Sequence, residues 1–127
     1  MRLAFLIGLV LSACMTPAIA DDASDLAAAK ASIAAAHVSA SSDLSMWCGA
    51  AMTLVAAATK DTDAAKSSAA DASASEFFGE AAAGLKTDGV KDEDLPALTG
   101  AYMTLANAQL VAQTEPPSHS TDDCVTK

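Results

Sequence analysis

The chain is 127 residues long, dominated by alanine, 52% hydrophobic yet only 4% aromatic, with a formal net charge of −9. That length holds one small domain and excludes a second. The acidic balance, with no basic patch anywhere, excludes nucleic acid and anionic lipid headgroups as partners.

The first 20 residues read as a signal peptide. Met1-Arg2 is a minimal positive start, and Leu3 to Met15 is almost wholly apolar but too short to span a membrane. Pro17 breaks this segment, and Ala18-Ile19-Ala20 offers small residues for cleavage after Ala20. The mature chain then begins at Asp21, and loss of Arg2, the one charged residue before it, takes the net charge from −9 to −10. A competing pattern, Leu11-Ser12-Ala13-Cys14, fits a lipobox, in which Cys14 would carry a lipid anchor. The first route leaves a mature chain of residues 21–127 and the second one that begins at Cys14; both predict a periplasmic or secreted protein with no membrane span in its mature part.

The first helix is expected over Asp21–Ala40. Asp21, Asp22 and Asp25 suit the positive end of the helix dipole. Leu26, Ile33 and Ala40, with Ala29, Ala36 and His37 between them, make a narrow stripe that buries little area. Ser42 or Asp43 then caps a second helix over Leu44–Thr59. Its stripes Cys48–Met52–Val55–Thr59 and Trp47–Ala51–Leu54–Ala58 form the broadest apolar face, fit for the middle of a bundle.

Lys60 to Ser75 has no large apolar residue and admits two readings: a long third helix from Thr62 to Leu85, or a start near Ser73 or Ser75. Phe77, Phe78, Ala81, Ala82 and Leu85 give its second half a buried face, and Gly89 supplies the stop. A fourth helix opens at Asp92-Glu93-Asp94 with Pro96 in its first turn, where a missing N–H matters least. Leu95, Leu98, Tyr102 and Leu105 repeat at three and four, Gln109 and Ala112 extend the row, and the helix ends near Gln113. Pro116-Pro117 forces an extended exit, and Ser120 or Thr121 caps a last turn reaching Cys124.

Two cysteines remain after export, and in an oxidising compartment an even pair predicts a Cys48–Cys124 disulfide. In an up-and-down bundle the fourth helix runs parallel to the second, which would place its end far from Cys48. The helix is roughly 28 Å long, and the segment from Gln113 to Cys124 stretches to about 36 Å. The tail is therefore expected to run back along the bundle. The predicted architecture is all-α: a small up-and-down bundle of three to four helices with its C-terminal tail stapled back by one disulfide.

No catalytic constellation is visible, so an enzyme is not expected, and neither is a cofactor. His37 and His119 lack ligand partners at helical or finger-like spacing, and no Cys-x-x-Cys occurs. Asp61-x-Asp63 and Asp88-Gly89 before Asp92-Glu93-Asp94 do not match a calcium loop. Met46, Met52 and Met103 read as core filler, not copper ligands. Trp47 most simply packs on the neighbouring bridge; exposed, it would serve a partner surface.

Trp47, Cys48, Cys124 and the chain's size give a layout similar to the small periplasmic acid-stress chaperones of enteric bacteria, which are short, helical and held by one disulfide. The similarity is one of architecture. The cysteines here stand further apart, and that family's internal motifs are missing. It implies a chaperone activated by acid. The residues themselves lead to a non-catalytic exported protein that binds another protein or has a structural or stress role in the envelope, with a metal carrier or enzyme as the remaining alternative.

Overall fold

The computed structural model describes residues 22–125. Residues 1–21, which include Cys14, Ala20 and the whole of the expected leader, lie outside the described residues. Within them the chain forms four α-helices: α1 (Asp22–Ala36), α2 (Ala40–Thr59), α3 (Ala64–Thr87) and α4 (Leu95–Ala106). A single 3-10 turn (Asp92–Asp94) leads into α4, a π-helical turn (Asn107–Val111) continues it, and a second 3-10 turn (Thr121–Cys124) ends the tail.

The first boundary differs from expectation. α1 stops at Ala36, and His37, expected in its apolar stripe, leaves the helix in a left-handed conformation with φ 50°. The cause is Ser39. Its extended backbone and its side chain, which accepts from the N–H of Ser42, make it the cap of α2. α2 therefore starts at Ala40, and Asp43 sits inside the first turn instead of capping it. That frees its carboxylate for other partners.

The long version of α3 is the one adopted. Asp63 caps it, accepting from the N–H of Lys66 at 3.0 Å. Its far end closes as a Schellman motif: the N–H of Val90 donates to the carbonyl of Leu85 and that of Gly89 to Lys86, with Gly89 at φ 90°. α2 and α3 form an antiparallel hairpin. Ser67 Oγ donates to the carbonyl of Ala56, the ring of Phe78 lies over Gly49, and Ser42 lies over Gly84. Both glycines are sites of close approach. A Cβ on Gly49 would stand 2.8 Å from the Phe78 ring, and one on Gly84 2.5 Å from Ser42 Oγ.

α2 lies between α3 and α4, and α1 packs on α4. The core is the first half of α2 (Met46, Trp47, Cys48, Ala50, Ala51) against Ala81 and Leu85 of α3 and Leu98, Tyr102 and Ala106 of α4. α1 contributes only Leu26 and Ala29 as buried residues, and Leu26 forms a small cluster with Leu105 and Ala108. Its alanine stripe is the reason: each alanine buries little area.

The tail does not run back along the bundle. α4 is parallel to α2, as expected, but displaced along it. Tyr102, two turns into α4, meets Asp43 in the first turn of α2, and Gln109 meets Trp47. The end of α4 thus already lies beside the start of α2. The chain reverses at Gln113, which has φ 54°, and brings Cys124 to Cys48 with Cα atoms 5.6 Å apart.

Candidate functional site

Two places have more than core packing in them. The first is the junction of α2, α4 and the tail. The π turn forms because the N–H of Ala112 reaches the carbonyl of Asn107 and that of Thr114 reaches Ala108. The widened turn turns Gln109 inward, where it is 6% exposed. Trp47, fully buried, donates its indole N–H to Gln109 Oε1 at 2.6 Å, and Ser118 Oγ donates to the same oxygen at 3.2 Å. Indole is a donor only, which fixes the orientation of the Gln109 amide.

Asp43 ties the same junction together from its other side. Tyr102 donates its hydroxyl to Oδ1 at 2.5 Å, and His119 Nε2 lies 2.7 Å from Oδ2. An ionised carboxylate only accepts, so Nε2 carries the proton in this contact. The imidazole also meets the Trp47 ring edge-on, with centroids 5.6 Å apart. Burial pushes the Tyr102 hydroxyl well above the usual tyrosine range, and the hydrogen bond to Asp43 and that residue's charge push it further. Tyr102 therefore stays a donor at any ordinary pH.

This cluster is a joint. One carboxylate and one amide oxygen gather α2, α4 and the tail, beside the disulfide that makes the arrangement covalent. His119 and Asp43 are a carboxylate–imidazole pair, chemically able to exchange protons. The two hydroxyls that flank His119 in the chain are both engaged elsewhere: Ser118 Oγ donates to Gln109, and Ser120 Oγ accepts from the N–H of Asp122. Trp47, the candidate partner-surface residue, has no exposed area and serves packing in this fold. His37 lies apart from His119, exposed at the end of α1. Among the described residues no three His, Cys, Asp or Glu side chains converge on a common point. No helix there is long and apolar enough to cross a membrane.

Sequence reasoning paired Cys48 with Cys124 and left Trp47 open between packing on that bridge and a partner surface; it did not connect Asp43, Gln109, Ser118 or His119 to the same place. A usable cue existed. Trp47 adjoins Cys48, and His119 stands five residues before Cys124 with a helical turn between. A bridge between the cysteines brings the two rings within side-chain reach.

The second place is an open groove of about 1270 Å³ along the seam of α1 and α4. α1 runs antiparallel to α4, and Leu54 of α2 also lines the groove. The lining includes Leu54, Ala101 and Met103, with Asp22 and Asp25 from the first turn of α1 and Glu115 from the tail. Every charged residue that lines it is acidic. Lys30 on α1 bridges to Glu115 at 3.0 Å, which leaves Asp22 and Asp25 without a cation among the described residues. No family model matches the chain, and no curated protein or solved structure is significantly similar to it.

Proposed function

We propose that this is an exported, non-catalytic protein that acts in the periplasm or outside the cell by binding another protein. The observation that carries this reading is the groove along α1 and α4. It is larger than the few hundred to about 1,000 Å³ of a small-molecule pocket. One of its walls is α1, the α-helix with the fewest buried residues among those described. The disulfide, rare in reducing compartments, supports the location. A photo-crosslinking residue at Ala28 or Ala97, both exposed and both lining the groove, should capture one partner in cells. The same probe at Glu76 on the exposed face of α3 should capture none. Equal capture from both faces, or none from the groove, overturns the reading. Mature protein that stays in the cytoplasm and keeps residues 1–20 overturns the location.

A second reading, an acid-activated chaperone, is favoured by one feature. Both Asp43 oxygens hold neighbours to α2, one of them on the tail. Loss of the His119 contact would loosen the tail while Cys124 keeps it tethered, and would uncover Trp47. Binding of an apolar dye that stays flat from pH 7 to pH 3 removes this reading.

A further inference from the structure

We infer that the groove along α1 and α4 takes a cationic amphipathic helix of a partner protein, an inference that rests on the binding function proposed above. Backbone chemistry selects a helix. The groove lies between two helices whose main-chain groups, past the first turn of α1, are paired within the helices, and no strand edge exists among the described residues. An extended segment laid there would leave its N–H and C=O groups without partners, whereas a helix satisfies its own. Alanine walls also suit a helix, because small side chains let helix axes approach to about 8–10 Å. Length agrees as well. α1 has 15 residues and is roughly 22 Å long, so a segment of about four turns matches it.

Charge selects the sign. Leu54, Ala101 and Met103 offer an apolar floor to one face of such a helix. Asp22 and Asp25, with no cation opposite them among the described residues, sit where its polar face would emerge. A second copy of this chain is a poor occupant, because each brings a formal charge of −9 or, after loss of Arg2, −10.

The test uses the oxidised mature chain, isotope-labelled, at physiological salt. It is titrated with three synthetic helical peptides of about 15 residues that share one Leu/Ala face and carry Lys, Gln or Glu on the other. The Lys peptide should shift amide signals of Asp25, Ala101 and Met103 saturably, and the Glu peptide should not. Asp22→Asn with Asp25→Asn should weaken binding about fivefold, as expected for two exposed ion pairs. Asp71→Asn with Glu76→Gln removes the same charge from the exposed face of α3 and should change it less than about twofold. Ala28→Phe with Ala97→Phe fills the groove from exposed positions and should abolish binding while leaving the helical spectrum unchanged. Equal losses in both charge pairs, or shifts centred on α3, mean diffuse attraction and overturn the inference. Equal binding of the Lys and Gln peptides overturns its charge and leaves the helix. A groove already filled by a second copy, seen as a dimer that Ala97→Phe dissociates, also overturns it. If no peptide binds while the crosslinks from Ala28 and Ala97 persist, the groove binds something other than a helix. The binding function then survives without this occupant.

Discussion

Trp47 and Gln109, 62 positions apart, are joined by a 2.6 Å hydrogen bond in which a fully buried indole N–H donates to an almost buried amide oxygen. An unpaired buried donor costs more than the bond itself contributes. Gln109→Leu should therefore destabilise the fold by about 1–3 kcal/mol. Trp47→Phe made in the Gln109→Leu background should cost less than it does in the parent, because the orphaned donor goes with it. Urea unfolding of the two single variants and the double variant measures that coupling. Strictly additive losses would show that the bond does not hold the π turn to α2.

The disulfide closes a 76-residue separation. Chain-entropy reasoning puts its contribution at about 4 kcal/mol, a large fraction of what a small domain has. Cys48→Ala with Cys124→Ala should lower the urea midpoint accordingly. It should also release His119 from the edge of Trp47, a change that the emission of the single tryptophan reports. Thiol titration of the unfolded, unreduced parent should find neither Cys48 nor Cys124 as a free sulfhydryl. Two per molecule would contradict the architecture.

Four glycines inside the helices separate two roles. A Cβ at Gly79 or Gly100 meets nothing within 4 Å. Gly79→Ala and Gly100→Ala should each raise stability by about 0.5–1 kcal/mol, the helix-propensity difference. Gly49→Ala and Gly84→Ala gain the same propensity but drive a methyl to 2.8 Å from the Phe78 ring and 2.5 Å from Ser42 Oγ. Both should lower the melting temperature. Phe78→Leu beside Gly49→Ala should return part of the loss. A stabilised Gly49→Ala would mean that the α2–α3 hairpin is looser than described.

How much of this was readable in the residues follows from how local each feature is. Helix faces are written in periodicity, so the broad stripe through Trp47 and Cys48 and the Leu98–Tyr102–Leu105 row announce their elements. The Schellman stop at Gly89 and the cap at Ser120 are equally local. The displacement of α4 along α2 is not, because alanine-rich faces slide without changing their pattern. The tail route was misjudged for that reason, and with it the place of His119. Gln109 read as a weak extension of an apolar row because an α-helical count ignores a π turn. Asp43 read as a cap because its neighbour Ser39, four residues earlier, was not recognised as the better one. The groove depends on the same displacement and leaves no mark in any single segment.

Asp88 links the end of α3 to the start of α2, accepting at 3.0 Å from both the backbone N–H and the hydroxyl of Ser39. The backbone hydrogen bond from Ser39, then the hydroxyls of Ser42 and Ser39, hold its carboxyl below the usual range against the opposing effect of burial. A depressed folded value means stability that is present above the unfolded value, about 3.9, and is lost as pH falls through the folded one. Asp88→Asn should therefore lower the urea midpoint at pH 7 and narrow its gap to the parent at pH 2. Parallel curves from pH 7 to pH 2 would show that the link is not electrostatic.

Tyr102 sets the opposite limit. Burial first, then the hydrogen bond to Asp43 and its charge, raises the hydroxyl far above its unfolded value near 10. A raised folded value gives stability that is complete below about pH 10 and is lost as pH rises above it, because the unfolded chain ionises first. The chain has one tyrosine, so tyrosinate absorbance reports this residue alone. It should appear only together with loss of helical signal, as one cooperative alkaline transition. Tyr102→Phe should lower stability at pH 7, through the lost bond to Asp43, yet flatten its fall between pH 9 and 11. The lysines titrate in the same interval, so the difference between variant and parent isolates the hydroxyl. Tyrosinate forming near pH 10 in a protein that is still helical would mean that Tyr102 is reached by water and that Asp43 does not fasten α4 to α2.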